Sequence, residues 1–178
     1  IGKAFEAARS IATSVGLDLI FGATNETTAE WEKDLDSACQ LQPDHLSTYG
    51  LTWEQGTRFW SRLRKGEMSQ LVEEVECRLY EQAIDRLTAA GMEHYEVSNF
   101  CLPGHRCRHN ETYWLGNEYF AVGPGAARYV KGRREINHRS TTTWLMRISA
   151  GMSPVAESET LSDENRARER LVFALRRL

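Results

Sequence analysis

Apolar positions in the first half of the chain alternate between two periodicities. Phe5, Ala8, Ile11 and Ala12 recur at helical spacing over residues 3–14, which predicts an amphipathic helix closed by Gly16. Leu17, Leu19, Ile20 and Phe21 then form an almost unbroken apolar run, the pattern of a strand buried on both faces of a parallel sheet. Asp18 interrupts that run, and a carboxylate buried in such a strand needs a partner. Thr27-Thr28-Ala29-Glu30 has the form of a capping box, in which hydroxyl and carboxylate satisfy the free amides of a helix start. Behind it Trp31, Leu35, Ala38 and Cys39 share one face, and Pro43 ends the helix. Residues 46–51 read as the next strand, and segment 22–45 is long enough for a right-handed helical crossover between parallel strands.

The same unit repeats with a longer excursion. Residues 52–66 predict a short helix carrying Phe59, Trp60 and Leu63. Residues 69–90 predict a long one with Val72, Val75, Leu79, Ala83 and Leu87 on its core face and Gly91 at its end. His94–Val97 is the third strand. A β-α-β-α-β series of this kind belongs to an α/β parallel sheet or barrel. Ligands in such folds sit beyond the carboxyl ends of the strands, here Gly22, Thr52 and Ser98.

The pattern loosens after that. Tyr119–Gly123 reads as a strand, Gly123-Pro124-Gly125 as a tight turn, and 128–130 and 135–137 as short strands around Lys131-Gly132. Residues 141–148 read as helix and 151–158 as linker. Ser162-Asp163-Glu164-Asn165 caps a final helix whose Leu171, Leu175 and Leu178 need an apolar surface.

Charge narrows the ligand class. Among 178 residues, 22 Lys and Arg against 25 Asp and Glu give a net charge of −3, which argues against nucleic acid or an anionic membrane surface as partner and favours a small molecule. The cysteines, Cys39, Cys77, Cys101 and Cys107, are dispersed, and neither a secretory signal nor a long apolar run is present. A reducing, cytoplasmic compartment is therefore expected.

Candidate chemistry concentrates in residues 96–129, where Pro103-Gly104-His105-Arg106-Cys107-Arg108-His109-Asn110 packs cations, imidazoles and a thiol into one connection. Read as zinc ligands, His105, Cys107 and His109 would diverge: alternation in an extended segment throws Cys107 to the opposite side. No resident metal is expected from that triplet.

Together the motifs Asp18-Leu19-Ile20-Phe21-Gly22, His45-Leu46-Ser47 with Tyr49, His94-Tyr95-Glu96-Val97-Ser98-Asn99-Phe100, His109-Asn110-Glu111-Thr112-Tyr113-Trp114 and Gly123-Pro124-Gly125-Ala126 resemble the radical S-adenosylmethionine proteins related to oxygen-independent coproporphyrinogen III oxidase. The H-N-x-x-Y-W element resembles the haem-chaperone branch. The resemblance implies an α/β fold: the later strands of a partial (β/α)6 TIM-like barrel over residues 1–130, then the start of a mostly helical C-terminal domain over 131–178. It implies S-adenosylmethionine beside Asp18, Tyr49, Thr52 and Ala127, and haem at His109, Tyr113 and Trp114. Arg106 and Arg108 are candidates for propionates, and Asn110 for orienting the His109 ring. It also implies a four-iron, four-sulfur cluster whose C-x3-C-x2-C ligands are not in this sequence, as expected of a C-terminal portion of such a protein. Two functions follow from the resemblance. One is haem binding and trafficking, with haem or porphyrin as ligand and a haem-accepting protein as partner; the alternative is coproporphyrinogen oxidation by a 5′-deoxyadenosyl radical. Ala23-Thr24-Asn25-Glu26-Thr27 and Ala127-Arg128 depart from the family's usual L-P-G-Q-T and G-A-H-S-Y on loops that face the cofactor.

Overall fold

The structure, a computed structural model, describes residues 1–177 and divides into two compact units, 1–106 and 107–177. Leu178, the last position of the expected apolar stripe, lies outside the described residues.

The first unit runs α1 (Gly2–Arg9), β1 (Gly16–Phe21), α2 (Thr28–Gln40), β2 (His45–Gly50), α3 (Arg58–Arg64), α4 (Glu73–Ala89), β3 (Glu93–Glu96) and β4 (Asn99–Cys101). The capping box forms as the sequence predicts, Thr27 accepting from the Glu30 amide while the Glu30 carboxylate takes the Thr27 amide. Helices α2 and α4 bury most of the predicted stripes, with Cys39 and Val75 partly buried, but Val72 is the N-cap of α4 and is 61% exposed, because it precedes the helix and its face turned to the sheet. Trp31, Leu35 and Ala38 meet Leu79, Ala83 and Leu87 over Phe21, Leu46 and Phe100 of the sheet. Each fully buried Leu or Phe contributes roughly 1.5–3 kcal/mol of transfer free energy. The Trp31 indole pins the two helices by donating to the Leu79 carbonyl at 2.9 Å.

The sheet has the order β1-β2-β4-β3. β1 and β2 are parallel, as the crossover length requires, in register from Gly16 opposite His45 to Phe21 opposite Gly50. The expected all-parallel continuation does not occur. β3 turns straight back into β4, which lies antiparallel to both β3 and β2 and takes the place beside β2. The reason is local: the Glu96 carboxylate accepts from the Ser98 amide at 2.8 Å and from the Asn99 side-chain amide, closing a tight reversal. The Tyr80 hydroxyl ties its tip to α4 through the Val97 carbonyl at 2.7 Å.

The expectation that β1 is buried on both faces also fails. Phe21 is buried and Leu17 and Leu19 pack against the helices, but Asp18 is exposed and Ile20 is 61% exposed. β1 is the edge strand, and α2 and α4 cover one face of the sheet. Asp18 therefore keeps its hydration and needs no buried partner.

The second unit comprises α5 (Arg108–Trp114), β5 (Ala127–Val130), β6 (Arg133–Asn137), α6 (Thr141–Ser149), β7 (Val155–Thr160) and α7 (Asp163–Ala174), with the strands in a β5-β6-β7 antiparallel meander. Lys131 and Gly132 form the β5–β6 turn with φ of 51° and 74°, both left-handed as a two-residue type I′ hairpin demands. Residue 130, the boundary expected from the resemblance, is the end of β5 in this sheet. Residues 131–177, expected to be mostly helical, contain β6 and β7 as well as α6 and α7.

Three further expectations change. Residues 119–123 are not a strand: Tyr119 makes one bridge to Tyr129, while Phe120 and Val122 are 81% and 91% exposed. The expected linker 151–158 enters β7, a charged and largely exposed strand paired to β6, the composition that keeps an edge from pairing further. Residues 108–109 belong to α5 rather than to an extended segment, so the alternation argument does not apply to His109.

Candidate functional site

In the first unit the strand register assembles the site. With a side-chain period of two, Asp18 and Ile20 of β1 share a face with His45, Ser47 and Tyr49 of β2, opposite the face that carries Leu46 and the core. Asp18 lies opposite Ser47, and Tyr49 lies opposite Ile20. The structure therefore brings the predicted Asp18 and Tyr49 together as diagonal neighbours, both open to solvent. Thr52, also exposed, follows directly beyond the carboxyl end of β2.

Sequence reasoning missed the rest of that face. Ser47 pairs with Asn99 of β4, and Asn99 pairs with Glu96 of β3, so Asp18, Ser47, Asn99 and Glu96 form one polar row across four strands. Glu96 and Asn99 are almost completely buried. Because the Glu96 carboxylate claims the Asn99 amide nitrogen, Asn99 Oδ1 points the other way, and it has no hydrogen-bond partner among the described residues. The Tyr95 hydroxyl lies 2.8 Å from His45 Nε2. Burial pushes the His45 imidazole below its usual value, outweighing the Asp18 and Glu96 carboxylates that pull it up. The lowered value favours the neutral ring beside the Tyr95 hydroxyl. The available signal was the polar set His45, Ser47, Tyr49 alternating through β2.

Arg106, a candidate for propionates, is committed elsewhere: it pairs with Glu93 at 3.4 Å and covers the Tyr95 ring at 5.3 Å. His105 sits at the opposite, amino-terminal end of the parallel strands, 3.1 Å from the Ser14 hydroxyl and 3.9 Å from Asp44. No group of three or more His, Cys, Asp or Glu side chains is placed to hold a metal ion among the described residues.

In the second unit α5 carries the aromatic candidates. His109 is exposed and meets Tyr113, one turn on, edge to face at 4.8 Å. Tyr113 continues to Tyr119 at 4.4 Å, and Tyr119 to Tyr129 at 6.2 Å. Burial, with Tyr119 nearby, pushes the Tyr113 phenol up. Trp114 faces another way, against Phe173 at 5.9 Å and under the Arg176 guanidinium at 4.4 Å. Those are packing contacts between α5 and α7. Ala127 is half-buried in β5, opposite Ile136.

No family model matches the sequence. Individual proteins do. The chain is 40% identical over 149 residues to the haem chaperone HemW of Mycobacterium tuberculosis (strain CDC 1551 / Oshkosh), covering 84% of this chain and 38% of the relative. It is 32% identical over 174 residues to HemW of Bacillus subtilis (strain 168), covering 97% and 46%. This chain is a homologue of the HemW haem chaperones. It is also 36% identical over 112 residues to the mitochondrial radical S-adenosyl methionine domain-containing protein 1 of Danio rerio, covering 63% and 25%. Its fold matches Escherichia coli coproporphyrinogen III oxidase HemN, a radical SAM enzyme, with a TM-score of 0.79 and 16% identity over 98% of this chain and 43% of that one. The chain spans less than half the length of these HemW relatives.

Proposed function

We propose that this chain is the haem-handling portion of a HemW-like radical S-adenosylmethionine protein, with His109 as a ligand to haem iron. The observation that carries the reading is the 40% identity to a named haem chaperone over 84% of the chain, a span that includes most of both units. The local chemistry fits. His109 is exposed on α5, and neither of its ring nitrogens has a hydrogen-bond partner among the described residues. A neutral imidazole with a free nitrogen is a common axial ligand to haem iron, and the Tyr113 ring beside it offers an apolar surface for a macrocycle. Trp114, held between Phe173 and Arg176, acts through the packing of α5 instead. The alternative, coproporphyrinogen oxidation, has only the likeness of fold to support it.

We infer that the first unit's mixed sheet is part of a larger curved, barrel-like sheet whose interior face carries Asp18, Tyr49 and the Glu96–Asn99 pair, with β1 as the edge that further strands extend. That face is rich in acceptors, matching the hydroxyl and ammonium donors of S-adenosylmethionine. Asp18 would take a donor of the ligand, Tyr49 would offer its ring, and Thr52 would border the site. When bound, the cofactor supplies one-electron chemistry. The cysteines do not fit a cluster site: Cys39 and Cys77 are on different helices and Cys101 is buried in β4. The cluster is therefore not assigned to residues of this chain.

Titration of ferric haem into the chain, followed by the Soret band, tests the haem reading. The expected result is a His109→Ala variant with a shifted band and affinity reduced about tenfold or more, since losing even a group that only orients a metal ligand costs roughly 10–100-fold. Identical spectra and affinities in the two proteins would remove His109 from the site.

A further inference from the structure

The second unit contains a cleft that the haem reading does not use. Arg166 and Arg170 are one turn apart on α7, hence on one face. With Ala167, Asp163 and Tyr129 they line an open cleft of about 540 Å³, a size within the range of roughly 300–1,000 Å³ usual for small-molecule sites. A second, smaller pocket of about 40 Å³, walled by Tyr113, Tyr119 and Phe173, shares Tyr129, Arg166 and Arg170 with it. The cleft is thus bounded by aromatic rings and guanidiniums.

Its cations differ in what they still lack. Arg134, which lines the smaller pocket, is neutralised by Glu169 at 2.7 Å and Glu159 at 2.9 Å. Arg166 is held by Asp163. Arg170 has neither an ion-pair nor a hydrogen-bond partner among the described residues. Its aliphatic stem passes Gly116, where a Cβ would stand in ordinary van der Waals contact, 3.4 Å from Arg170 Cγ. Gly116 has φ of 65°, a left-handed backbone that suits glycine. The exposed Arg170 side chain lines the cleft with its charge uncommitted among the described residues.

We propose that this cleft is the carboxylate subsite of a planar, anionic macrocycle: Arg170 receives a propionate of the porphyrin, and the Tyr129 ring borders the macrocycle edge. The proposal rests on the haem reading for the identity of the ligand. The ring contacts from His109 through Tyr113 and Tyr119 to Tyr129 connect the iron-ligand candidate to the cleft within one unit. Guanidinium pairs with carboxylate through two parallel hydrogen bonds, which an unpaired arginine can offer without first breaking an existing ion pair.

The test uses iron-free protoporphyrin IX and its dimethyl ester as probes, with binding to the 178-residue chain followed by porphyrin fluorescence. Iron-free porphyrin makes no bond to His109, which separates this subsite from the axial-ligand reading. Arg170→Ala is expected to weaken the diacid about tenfold or more, as loss of a charge-assisted pair does, and to leave the ester unchanged. Arg170→Lys should recover part of the diacid affinity. Wild-type affinity for the diacid in Arg170→Ala, an equal loss for diacid and ester, or no binding of the diacid by the wild-type chain would each overturn the subsite. If the diacid depends on Arg170 while ferric haem is indifferent to His109→Ala, the subsite stands and the axial-ligand reading falls.

Discussion

Asp44→Asn should destabilise the first unit in a way that disappears in acid. Asp44 is 7% exposed and joins segments that are distant in sequence. Its carboxylate accepts from the Val15 amide at 2.7 Å and pairs with Arg9 of α1 and, at 3.9 Å, with His105. Its own carbonyl takes the Leu102 amide at 2.9 Å. Burial pushes the carboxyl up, but the Val15 amide, the Arg9 guanidinium and the His105 ring together outweigh it and hold the group below its ordinary value of 3.8. Asparagine keeps an oxygen for the Val15 amide and leaves the backbone bond untouched, so the loss is the charge-assisted part. A hydrogen bond to a charged group contributes about 1.5–3 kcal/mol. Arg9 is itself 37% exposed, so the lower part of that range, about 1.5–2 kcal/mol, applies once solvent screening is counted. For a unit of this size that lowers Tm by roughly 6–16 °C. The pH dependence has a fixed sign: a depressed folded-state pKa contributes stability that is fully present above the unfolded value and is lost as pH falls through the folded one. Urea titrations of both proteins from pH 7 to pH 2.5 should therefore show a gap that is constant near neutrality and closes below about pH 4. Equal stability at pH 7, or a gap that persists unchanged at pH 2.5, would refute the assignment of Asp44 as a charged tie.

Leu79→Ala removes a fully buried side chain at the α2–α4 contact and should cost about 2–5 kcal/mol in chemical denaturation; a loss under about 1 kcal/mol would mean the site collapses without a cavity. His45, lowered by burial, should be neutral at pH 7 and titrate below 6.5 by NMR. It should also make the fold less stable as pH falls through 6.5, because the unfolded chain takes up that proton first; titration at or above 6.5 would contradict the buried Tyr95 pairing.

The repeating half of the chain was legible because its signals are local. The Thr27–Glu30 capping box, the Trp31–Leu35–Ala38 and Leu79–Ala83–Leu87 stripes and the parallel β1–β2 pair depend on spacing and crossover length, which a sequence carries directly. Two of the proposed cofactor residues, Asp18 and Tyr49, lie on strands that the pattern marked, and the register that the structure supplies puts them on one face. The H-N-x-x-Y-W element, a contiguous motif, likewise carries the likeness to haem chaperones in the sequence itself. Tertiary structure decided what depends on neighbours distant in the chain. Whether β1 is an edge or a centre strand is set by which strands pair with it, and that left Asp18 hydrated. β4 is three residues long and gains its place from the Glu96–Asn99 contact. β7 has the composition of a linker and becomes a strand by pairing with β6. Beyond the alternating His45, Ser47 and Tyr49 of β2, the polar row from Asp18 to Glu96 and the position of Arg170 beside Gly116 have no signature in the sequence, because pairings across a sheet and between a helix and a turn are fixed only when the chain closes on itself.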